Sequence, residues 1–323
     1  MTQILLTGGA GFVGSHTAEA LLAKGHHVRV LDVLDPQIHG KERQFPSALD
    51  PRVERMRGDV RRPGDLAKAL DGIEVVFHFA ARTGVGQSQY EVARYVDTNV
   101  GGTAALLQAI VGQKTRIKKL VLASSRAVYG EGAARCPRHG QGHPARRVRG
   151  DLERGDFQIK CAHCGRDMRP VPTAEDAALD PGSIYALTKK HQEDLCLQTA
   201  SAHGFSVVIL RYFNVYGSRQ SLGNPYTGVV TVFFLPTPDD IKKGIGRIRS
   251  LGEKPKGGPP RQLRADRPGF VVPSLVWAIP RGWAFGGTKR LLVKPKTFFN
   301  GLKGMNKIVD KNGRSHYDEI RMV

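Results

Sequence analysis

Short apolar runs alternate with amphipathic stretches along the first two thirds of the chain. Five runs have the length of buried strands: residues 4–7, 27–31, 53–57, 75–79 and 119–125. Between them, residues 12–24 and 90–111 carry apolar side chains at helical spacing, which predicts helices. This alternation predicts an α/β fold with a doubly wound parallel sheet that helices cover on both faces.

A glycine-rich turn joins the first predicted strand to the first helix. Gly8 permits a tight turn, Gly11 lets a phosphate approach the backbone, and Gly14 lets the helix pack close to the strand. A pyrophosphate can rest on the free N–H groups at the start of this helix; an ordinary strand-to-helix turn is the alternative. The next strand ends in Asp32, about 20 residues beyond the glycines, as a dinucleotide fingerprint requires. We therefore predict a Rossmann-like dinucleotide-binding site.

Residues at the ends of three strands refine this prediction. Asp32 is placed to accept hydrogen bonds from an adenosine ribose, and no arginine follows it directly to hold a 2′-phosphate, which favours NAD over NADP. Asp59 follows the third strand and has two interpretations, a contact with the adenine amino group or a helix cap. Ala80 and Ala81 follow the fourth strand and leave space for a flat ligand.

Tyr185 and Lys189 are the candidate catalytic pair. They are one helical turn apart, so the phenol and the ammonium share a helix face. A free tyrosine has a pKa of about 10, and a nearby cation lowers it toward a useful range for a base. Ser125 ends the fifth strand and is placed to hydrogen-bond the same substrate oxygen. The alternative is a solvated helix face.

Several motifs occur in the order that is found in one enzyme family. The motifs are Gly8-Gly9-Ala10-Gly11-Phe12-Val13-Gly14, Asp32, His78-Phe79-Ala80-Ala81, Asn99-Val100-Gly101-Gly102-Thr103, Ser124-Ser125-Arg126-Ala127-Val128-Tyr129-Gly130, Tyr185 with Lys189, and Arg211-Tyr212-Phe213-Asn214-Val215-Tyr216-Gly217. With them, residues 1–232 resemble the extended short-chain dehydrogenases, and more narrowly the NAD-dependent nucleotide-sugar epimerases and dehydratases.

This resemblance implies a role for each matching residue. It implies that Tyr185 is the base, that Lys189 holds the nicotinamide ribose and that Ser125 orients the sugar hydroxyl. The cofactor residues that it implies are Gly8, Gly11, Phe12, Val13, Gly14, Asp32, Asp59, Val60, Phe79, Ala80, Ala81, Asn99, Ser124, Tyr185, Lys189 and Phe213, and the substrate residues are Arg82, Ser125, Asn214 and Asn224. It also implies a homodimer formed through the helices of Asn99 and Tyr185.

The residues after Ser125 bear on the reaction. Dehydratases of the family carry an Asp-Glu pair there to eliminate water, whereas this chain has Arg126 and Ala127. The resemblance therefore favours a nucleotide-sugar 4-epimerase, in which the C4 hydroxyl is oxidised transiently and the hydride returns to the other face.

Residues 130–172 depart from a plain epimerase and contain three of the four cysteines of the chain. Cys136 and His139 form a C-x-x-H pair, and Cys161 and Cys164 form a C-x-x-C pair, a donor set that suits structural, tetrahedral zinc. A disulfide and unpaired thiols are the alternatives. The spare ligand candidates are His143 and His163, whereas Cys196 is expected to be a core residue. The insert resembles that of a subgroup of the family that includes dTDP-L-rhamnose 4-epimerases.

The composition describes a globular protein, with 40% hydrophobic and 24% charged residues among 323. No apolar run approaches the length of about 20 residues that spans a bilayer, and the chain enters a strand without a signal-peptide pattern. We expect a cytoplasmic enzyme with a nucleotide-sugar substrate and no membrane partner. The net charge of +20 admits an anionic partner, but the basic residues lack the aromatic interleaving of a nucleic-acid surface.

The resemblance ends near residue 232, and residues 233–323 are rich in Gly, Pro, Lys and Arg. Three interpretations remain: a divergent substrate lid, a basic tail, or an unrelated sequence joined by a frameshift or fusion, which the abrupt change favours. The first domain would then be residues 1–232 with the insert at 130–172. An NAD-binding but catalytically impaired protein and a nucleotide-sugar dehydratase or reductase are the alternative functions.

Overall fold

A six-stranded parallel sheet is the centre of the computed structural model, which describes residues 1–112, 117–221 and 224. Its strands are β1 (Gln3–Thr7), β2 (His27–Asp32), β3 (Glu54–Arg57), β4 (Val75–His78), β5 (Lys119–Ser125) and β9 (Ser206–Tyr212), in the spatial order β3-β2-β1-β4-β5-β9. The predicted parallel sheet is confirmed. Its strand order reverses between β1 and β4, where a doubly wound sheet opens a crevice for a ligand.

Helices cover both faces of this sheet. They are α1 (Phe12–Ala23), α2 (Pro36–His39), α3 (Pro63–Leu70), α4 (Val85–Ser88), α5 (Val92–Tyr95), α6 (Gly102–Val111), α7 (Arg149–Glu153) and α8 (Ile184–His203), with a π-helical segment at Val96–Gly101 and a 3₁₀ helix at Arg126–Tyr129. Alternate residues of β1 point to opposite faces. Leu6 packs in one core cluster with Ala18 of α1, whereas Leu5 packs in the other with Leu66 of α3. Both faces are therefore buried.

The predicted helix over residues 90–111 differs from the structure. Tyr90 lies outside it with 84% of its surface exposed, and the helical stretch begins at Val92. Its middle turns are π-helical and place Asn99, which is fully buried, toward the interior. A wider turn of this kind re-aims one side chain, and π segments recur at functional sites.

The insert forms a second, three-stranded sheet. Its strands are β6 (Ala134–Cys136), β7 (Gly140–Gly142) and β8 (Arg169–Pro170), in the antiparallel order β7-β6-β8. Its own core contains five buried residues, and two of these are Cys136 and Cys161. A core this small cannot stabilise a fold by itself, so the insert needs another stabilising element, such as a bound metal ion.

No helix in the described ranges combines the length and the apolar character of a membrane-spanning segment. Residues 225–323, which include the end of the predicted first domain and the whole segment 233–323, lie outside the described residues.

Candidate active site and metal centre

The glycine turn lies at the carboxyl end of β1, beside the β4 loop. Gly8 has φ +69°, and a Cβ there would lie 2.6 Å from the backbone nitrogen of Ala80. A Cβ on Gly14 would lie 2.6 Å from the carbonyl oxygen of Gly8, whereas one on Gly11 meets only that oxygen, at 3.4 Å. No side chain of the described part of the chain caps the first turn of α1, which includes Phe12 and Val13. This cradle fits a pyrophosphate.

Asp32 lies at the edge of this cradle. Its carboxylate accepts hydrogen bonds from the backbone N–H groups of Ala10 at 3.0 Å and Leu34 at 2.9 Å. Burial raises the pKa of Asp32, while those N–H groups and His39, 3.7 Å away, act in the opposite direction. The side chain is thus fixed at the end of β2, where a ribose would approach it.

Asp59 binds Arg61, with Nη2 of the arginine 2.6 Å from Oδ2. Burial by itself would raise the pKa of Asp59, but the hydrogen bonds from Arg61 prevail and lower it. The helix-cap interpretation of Asp59 is wrong, because Arg62 is the residue that precedes α3. Val60 lies in the hydrophobic core.

His78 anchors the loop that carries Phe79, Ala80 and Ala81. Its Nδ1 lies 2.7 Å from Thr7 Oγ1, and its Nε2 lies 2.9 Å from Thr103 Oγ1. The Thr103 hydroxyl donates to the Asn99 carbonyl oxygen at 2.5 Å, so it must accept from His78, which fixes the Nε2–H tautomer. Burial first, and the charge of Lys189 second, lower the pKa of His78 to about 3. The imidazole is therefore neutral.

Tyr185, Ser125 and Lys189 come together at the carboxyl end of β5. Ser183 caps α8 by accepting from the Ala186 N–H at 3.1 Å, which starts the helix one turn before Lys189. The Lys189 Nζ lies 6.0 Å from the centre of the Tyr185 ring. Burial raises the pKa of Tyr185, and a hydrogen bond with Ser125 lowers it in part. Burial also lowers the pKa of Lys189 to about 8.

Asn99 connects α8, the helix of Tyr185, to the loop that follows β4. Its Oδ1 accepts from the Arg82 N–H at 2.7 Å, and its Nδ2 donates to the Arg82 carbonyl at 3.1 Å and to Thr188 Oγ1 at 3.0 Å. Ser88 adds a second connection, because its hydroxyl accepts from the Tyr185 N–H at 3.0 Å. These contacts hold the helix backbone at Tyr185, and with it the phenol, in position relative to the loop that follows β4.

A buried ion pair that the sequence analysis missed lies one turn beyond Lys189. Glu193 is 2% exposed, accepts from Arg211 Nη2 at 2.8 Å and also accepts from the hydroxyl of Ser124. Arg211 further donates to the Tyr129 hydroxyl at 2.7 Å. The side chain of Ser124 therefore points to Glu193. The sequence signal that could have identified Glu193 is its spacing of one helical turn from Lys189.

The predicted substrate residues occupy three loops. Arg82 donates from Nη2 to Asp35 at 2.5 Å, and Asn224 accepts from Gln37 Nε2 at 3.0 Å. Asn214 and Phe213 follow β9 on an exposed loop, with 57% of Phe213 exposed. The structure thus brings Arg82 and Asn224 against residues that follow β2.

The four predicted metal ligands converge, with donor atoms all within 4.8 Å of one another. His139 Nδ1 lies 3.8 Å from Cys136 Sγ and 3.4 Å from Cys161 Sγ, and Cys136 Sγ lies 3.7 Å from Cys164 Sγ. Donors around a tetrahedral zinc, with bonds of about 2.3 Å to sulfur and about 2.0 Å to nitrogen, are about 3.5–3.8 Å apart. The residues present therefore fit the ion.

The chemistry of these donors agrees with the distances. Burial opposes the thiolate of Cys136, yet the backbone N–H groups of His139 and Arg138 lower its pKa to about 6. The ring of His163 is 5.4 Å from that of His139, outside the four-donor set, which also leaves out His143. Cys196 is fully buried in the core, as the sequence indicated, and burial raises its pKa to about 12.

Comparisons with known proteins agree with this geometry. The profile of the NAD dependent epimerase/dehydratase family matches residues 4–147 and 161–235. The dTDP-L-rhamnose 4-epimerase of Burkholderia thailandensis is 39% identical over 233 residues, which are 72% of this chain and 62% of that protein. The UDP-glucose 4-epimerase of Streptomyces lividans is 30% identical over 68% of this chain and 54% of its own length.

Solved structures of nucleotide-sugar 4-epimerases are also similar to this chain. The UDP-glucuronic acid 4-epimerase of Bacillus cereus in complex with UDP-glucuronic acid and NAD has a TM-score of 0.51 and 30% identity, over 68% of this chain and 59% of that one. The UDP-N-acetylglucosamine 4-epimerase of Methanobrevibacter ruminantium has a TM-score of 0.53 and 28% identity, over 72% and 61%. The chain thus spans less than two thirds of the length of these relatives.

Proposed function

Because this chain belongs to the NAD dependent epimerase/dehydratase family, we propose that it is an NAD-dependent nucleotide-sugar 4-epimerase. The observation that supports the proposal most strongly is the meeting of Tyr185, Ser125 and Lys189 beside the crevice of the parallel sheet. Their chemistry, a phenol with a hydroxyl partner and a neighbouring cation, is that of a base for a sugar alcohol.

In the proposed reaction Tyr185 takes the proton of the C4 hydroxyl, and Ser125 donates a hydrogen bond to the same oxygen. The hydrogen bond with Ser125 opposes the effect of burial on the pKa of Tyr185. The ammonium of Lys189 would further favour the phenolate by its charge. NAD, when bound, supplies a reversible hydride acceptor. The glycine cradle and Asp32 are the residues that would hold it, at the pyrophosphate and the adenosine ribose respectively.

The residues after Ser125 support epimerisation rather than elimination of water. Arg126 and Ala127 offer no carboxylic acid at that place, and the Ala127 N–H instead donates to Ser125 Oγ at 3.1 Å. Elimination needs an additional acid–base pair near the sugar C5 and C6, whereas epimerisation needs only the group at C4. For the sugar nucleotide we propose dTDP-L-rhamnose or a related dTDP- or UDP-sugar, which the similarity to the Burkholderia enzyme supports. Arg82, Asn214 and Asn224 are the proposed substrate contacts.

We also propose a structural zinc ion held by Cys136, His139, Cys161 and Cys164. All four tetrahedral positions would carry protein donors, so the ion has no place for water and no part in the chemical step. Its role is to stabilise the small sheet of the insert, which lies in sequence between the strand of Ser125 and the helix of Tyr185.

For the assembly we propose a cytoplasmic homodimer formed by the helices that carry Asn99 and Tyr185. Apolar side chains on or next to those helices are exposed in the single chain, among them Tyr90 at 84%, Val96 at 44% and Leu187 at 38%. A second copy would bury them. Analytical ultracentrifugation should give twice the chain mass, and Val96→Asp should shift the protein to monomers.

Turnover by the full chain tests the proposed function. The protein is incubated with NAD and, separately, with dTDP-L-rhamnose, UDP-glucose and UDP-glucuronic acid, and C4 epimers are quantified by proton NMR. Native mass spectrometry of the same sample reports bound NAD and zinc. Formation of a C4 epimer from any of these sugars supports the proposal. Bound NAD without an epimer from any sugar would instead identify a catalytically impaired member of the family.

A further inference from the structure

Two loops on opposite sides of the glycine turn are joined by side chains. Asp35 and Gln37 follow β2, whereas Arg82 and Gln87 follow β4, and β1 lies between those two strands in the sheet. A contact between the loops therefore crosses the carboxyl end of β1. This is the end at which the strand order reverses and a dinucleotide binds in such sheets.

The shortest contacts are one ion pair and one amide pair, and Arg94 of α5 adds a longer ion pair to Asp35 at 3.6 Å. Arg82 Nη2 donates to Asp35 Oδ2 at 2.5 Å, with only 17% and 20% of the two side chains exposed. Gln37 Nε2 donates to Gln87 Oε1 at 3.2 Å, and Gln87 Nε2 donates back to Gln37 Oε1 at 3.1 Å. We call Asp35, Gln37, Arg82 and Gln87 the crevice bridge. A half-buried, charge-assisted bond of this length is stronger than an exposed ion pair.

Both ends of the crevice bridge are held in place. On the β2 side, Asp35 Oδ1 accepts from the Gln37 N–H at 2.9 Å and thereby caps α2. On the β4 side, Asn99 binds the backbone of Arg82, as described above, and Gln87 donates to Glu91 at 2.9 Å. Within the described ranges no backbone hydrogen bond joins the two loops, so the side chains alone connect them.

We propose that the crevice bridge retains NAD, with Asp35 and Arg82 closing the crevice over the bound cofactor. This inference rests on the proposed function, because it needs a dinucleotide in the crevice. An epimerase returns its cofactor to the starting oxidation state in every cycle, so it gains from slow release. A dinucleotide lying across the end of β1 leaves only after the Asp35–Arg82 pair opens. The pair thus sets the release rate without taking part in the chemical step.

Measurement of NAD release from the full chain tests the crevice bridge. Bound NADH is displaced by excess NAD, and its loss of fluorescence gives the dissociation rate. Asp35→Asn keeps an oxygen for the α2 cap and removes the charge that Arg82 binds, so we expect release to be about ten- to hundredfold faster. Asp50→Asn is the matched control, since it removes a carboxylate that pairs with Arg52 at 2.7 Å and not with any residue of the crevice bridge. Its release rate should equal that of the wild type.

The dependence of the release rate on salt concentration is a second readout, which a general destabilisation of the fold would not change. Release from the wild type should accelerate with ionic strength, because salt screens the pair, and Asp35→Asn should lose most of that dependence. If Asp35→Asn does not fold, Gln37→Ala, which removes the amide pair and the hydrogen bond to Asn224 but keeps the Asp35–Arg82 ion pair, should release NADH about tenfold faster. Equal release rates of the folded variant and the wild type would overturn the crevice bridge. A wild type that binds no NADH would instead overturn the proposed function.

Discussion

Lys189 donates a hydrogen bond from its ammonium to the carbonyl oxygen of Ala123 at 2.8 Å. This contact fixes the buried cation of α8 against the end of β5, two residues before Ser125. The helix and the strand that carry the proposed catalytic groups are therefore connected through Lys189, the residue whose charge is proposed to assist the base. In the proposed mechanism, the activity of Tyr185 would depend on the protonation of Lys189.

The first prediction concerns the pH dependence of activity. Burial lowers the pKa of Lys189 to about 8, so the ammonium is lost as the pH rises through that value. In the wild type, kcat/KM should fall on the alkaline side with an apparent pKa near 8. Lys189→Met has no ammonium to lose, so its much lower residual rate should lack this alkaline fall. An unchanged alkaline limb in Lys189→Met would show that another group is responsible.

The second prediction concerns stability in acid. The pKa of His78 in the folded chain is about 3, below the ordinary histidine value of 6.5, so the unfolded chain binds the proton first. Stability from neutral His78 is present above pH 6.5 and is lost as the pH falls below it. Urea unfolding should show a loss of about 2 kcal/mol between pH 6.5 and pH 5 in the wild type. His78→Gln should lack this part of the loss, and a parallel decline in both proteins would contradict the assignment.

The third prediction concerns the ion pair between Glu193 and Arg211. Glu193→Gln leaves a guanidinium without its buried partner, which should lower the free energy of unfolding by about 2–4 kcal/mol. Asp194→Asn is the matched control on the same helix, because its carboxylate is 51% exposed and pairs with Lys190. It should cost less than about 1 kcal/mol. Denaturant unfolding measures both changes. Similar losses in the free energy of unfolding for both variants would show that the ion pair does not stabilise the fold.

The fourth prediction concerns the metal. The wild type should contain one zinc ion per chain by elemental analysis, and His139→Ala should lose most of it. His163→Ala is the control, because His163 lies next to His139 but outside the four-donor set. Chelation should expose the insert to proteolysis while the parallel sheet stays folded. Zinc loss from His163→Ala, with retention in His139→Ala, would show that the ligand is assigned to the wrong histidine.

Local patterns predicted the parts of the molecule that depend on neighbours in sequence. The strand of residues 119–125 has the predicted bounds, and Phe12 begins the first helix, because apolar periodicity and the glycine turn are local signals. The C-x-x-H and C-x-x-C pairs likewise carry their own spacing, and the structure brings their donor atoms together.

Contacts between residues that are distant in sequence could not be predicted from local patterns. The π-helical turns at Asn99 follow from its contacts with Arg82 and Thr188, which are distant in sequence. Ser124 was assigned to the cofactor by resemblance, yet its side chain points to Glu193 because an ion pair across three elements fixes that carboxylate. Partners separated by this much chain leave no periodic signal.

The central claim is that Tyr185 acts as the base for transient oxidation at C4 of a nucleotide sugar. It is tested most directly by the conversion of a substrate deuterated at C4 by the wild type and by Tyr185→Phe, with NAD content measured in both. The account predicts that the wild-type epimer keeps the deuterium and that Tyr185→Phe is slower by about two to four orders of magnitude with NAD still bound. Loss of the label to solvent, or wild-type turnover by Tyr185→Phe, would contradict it.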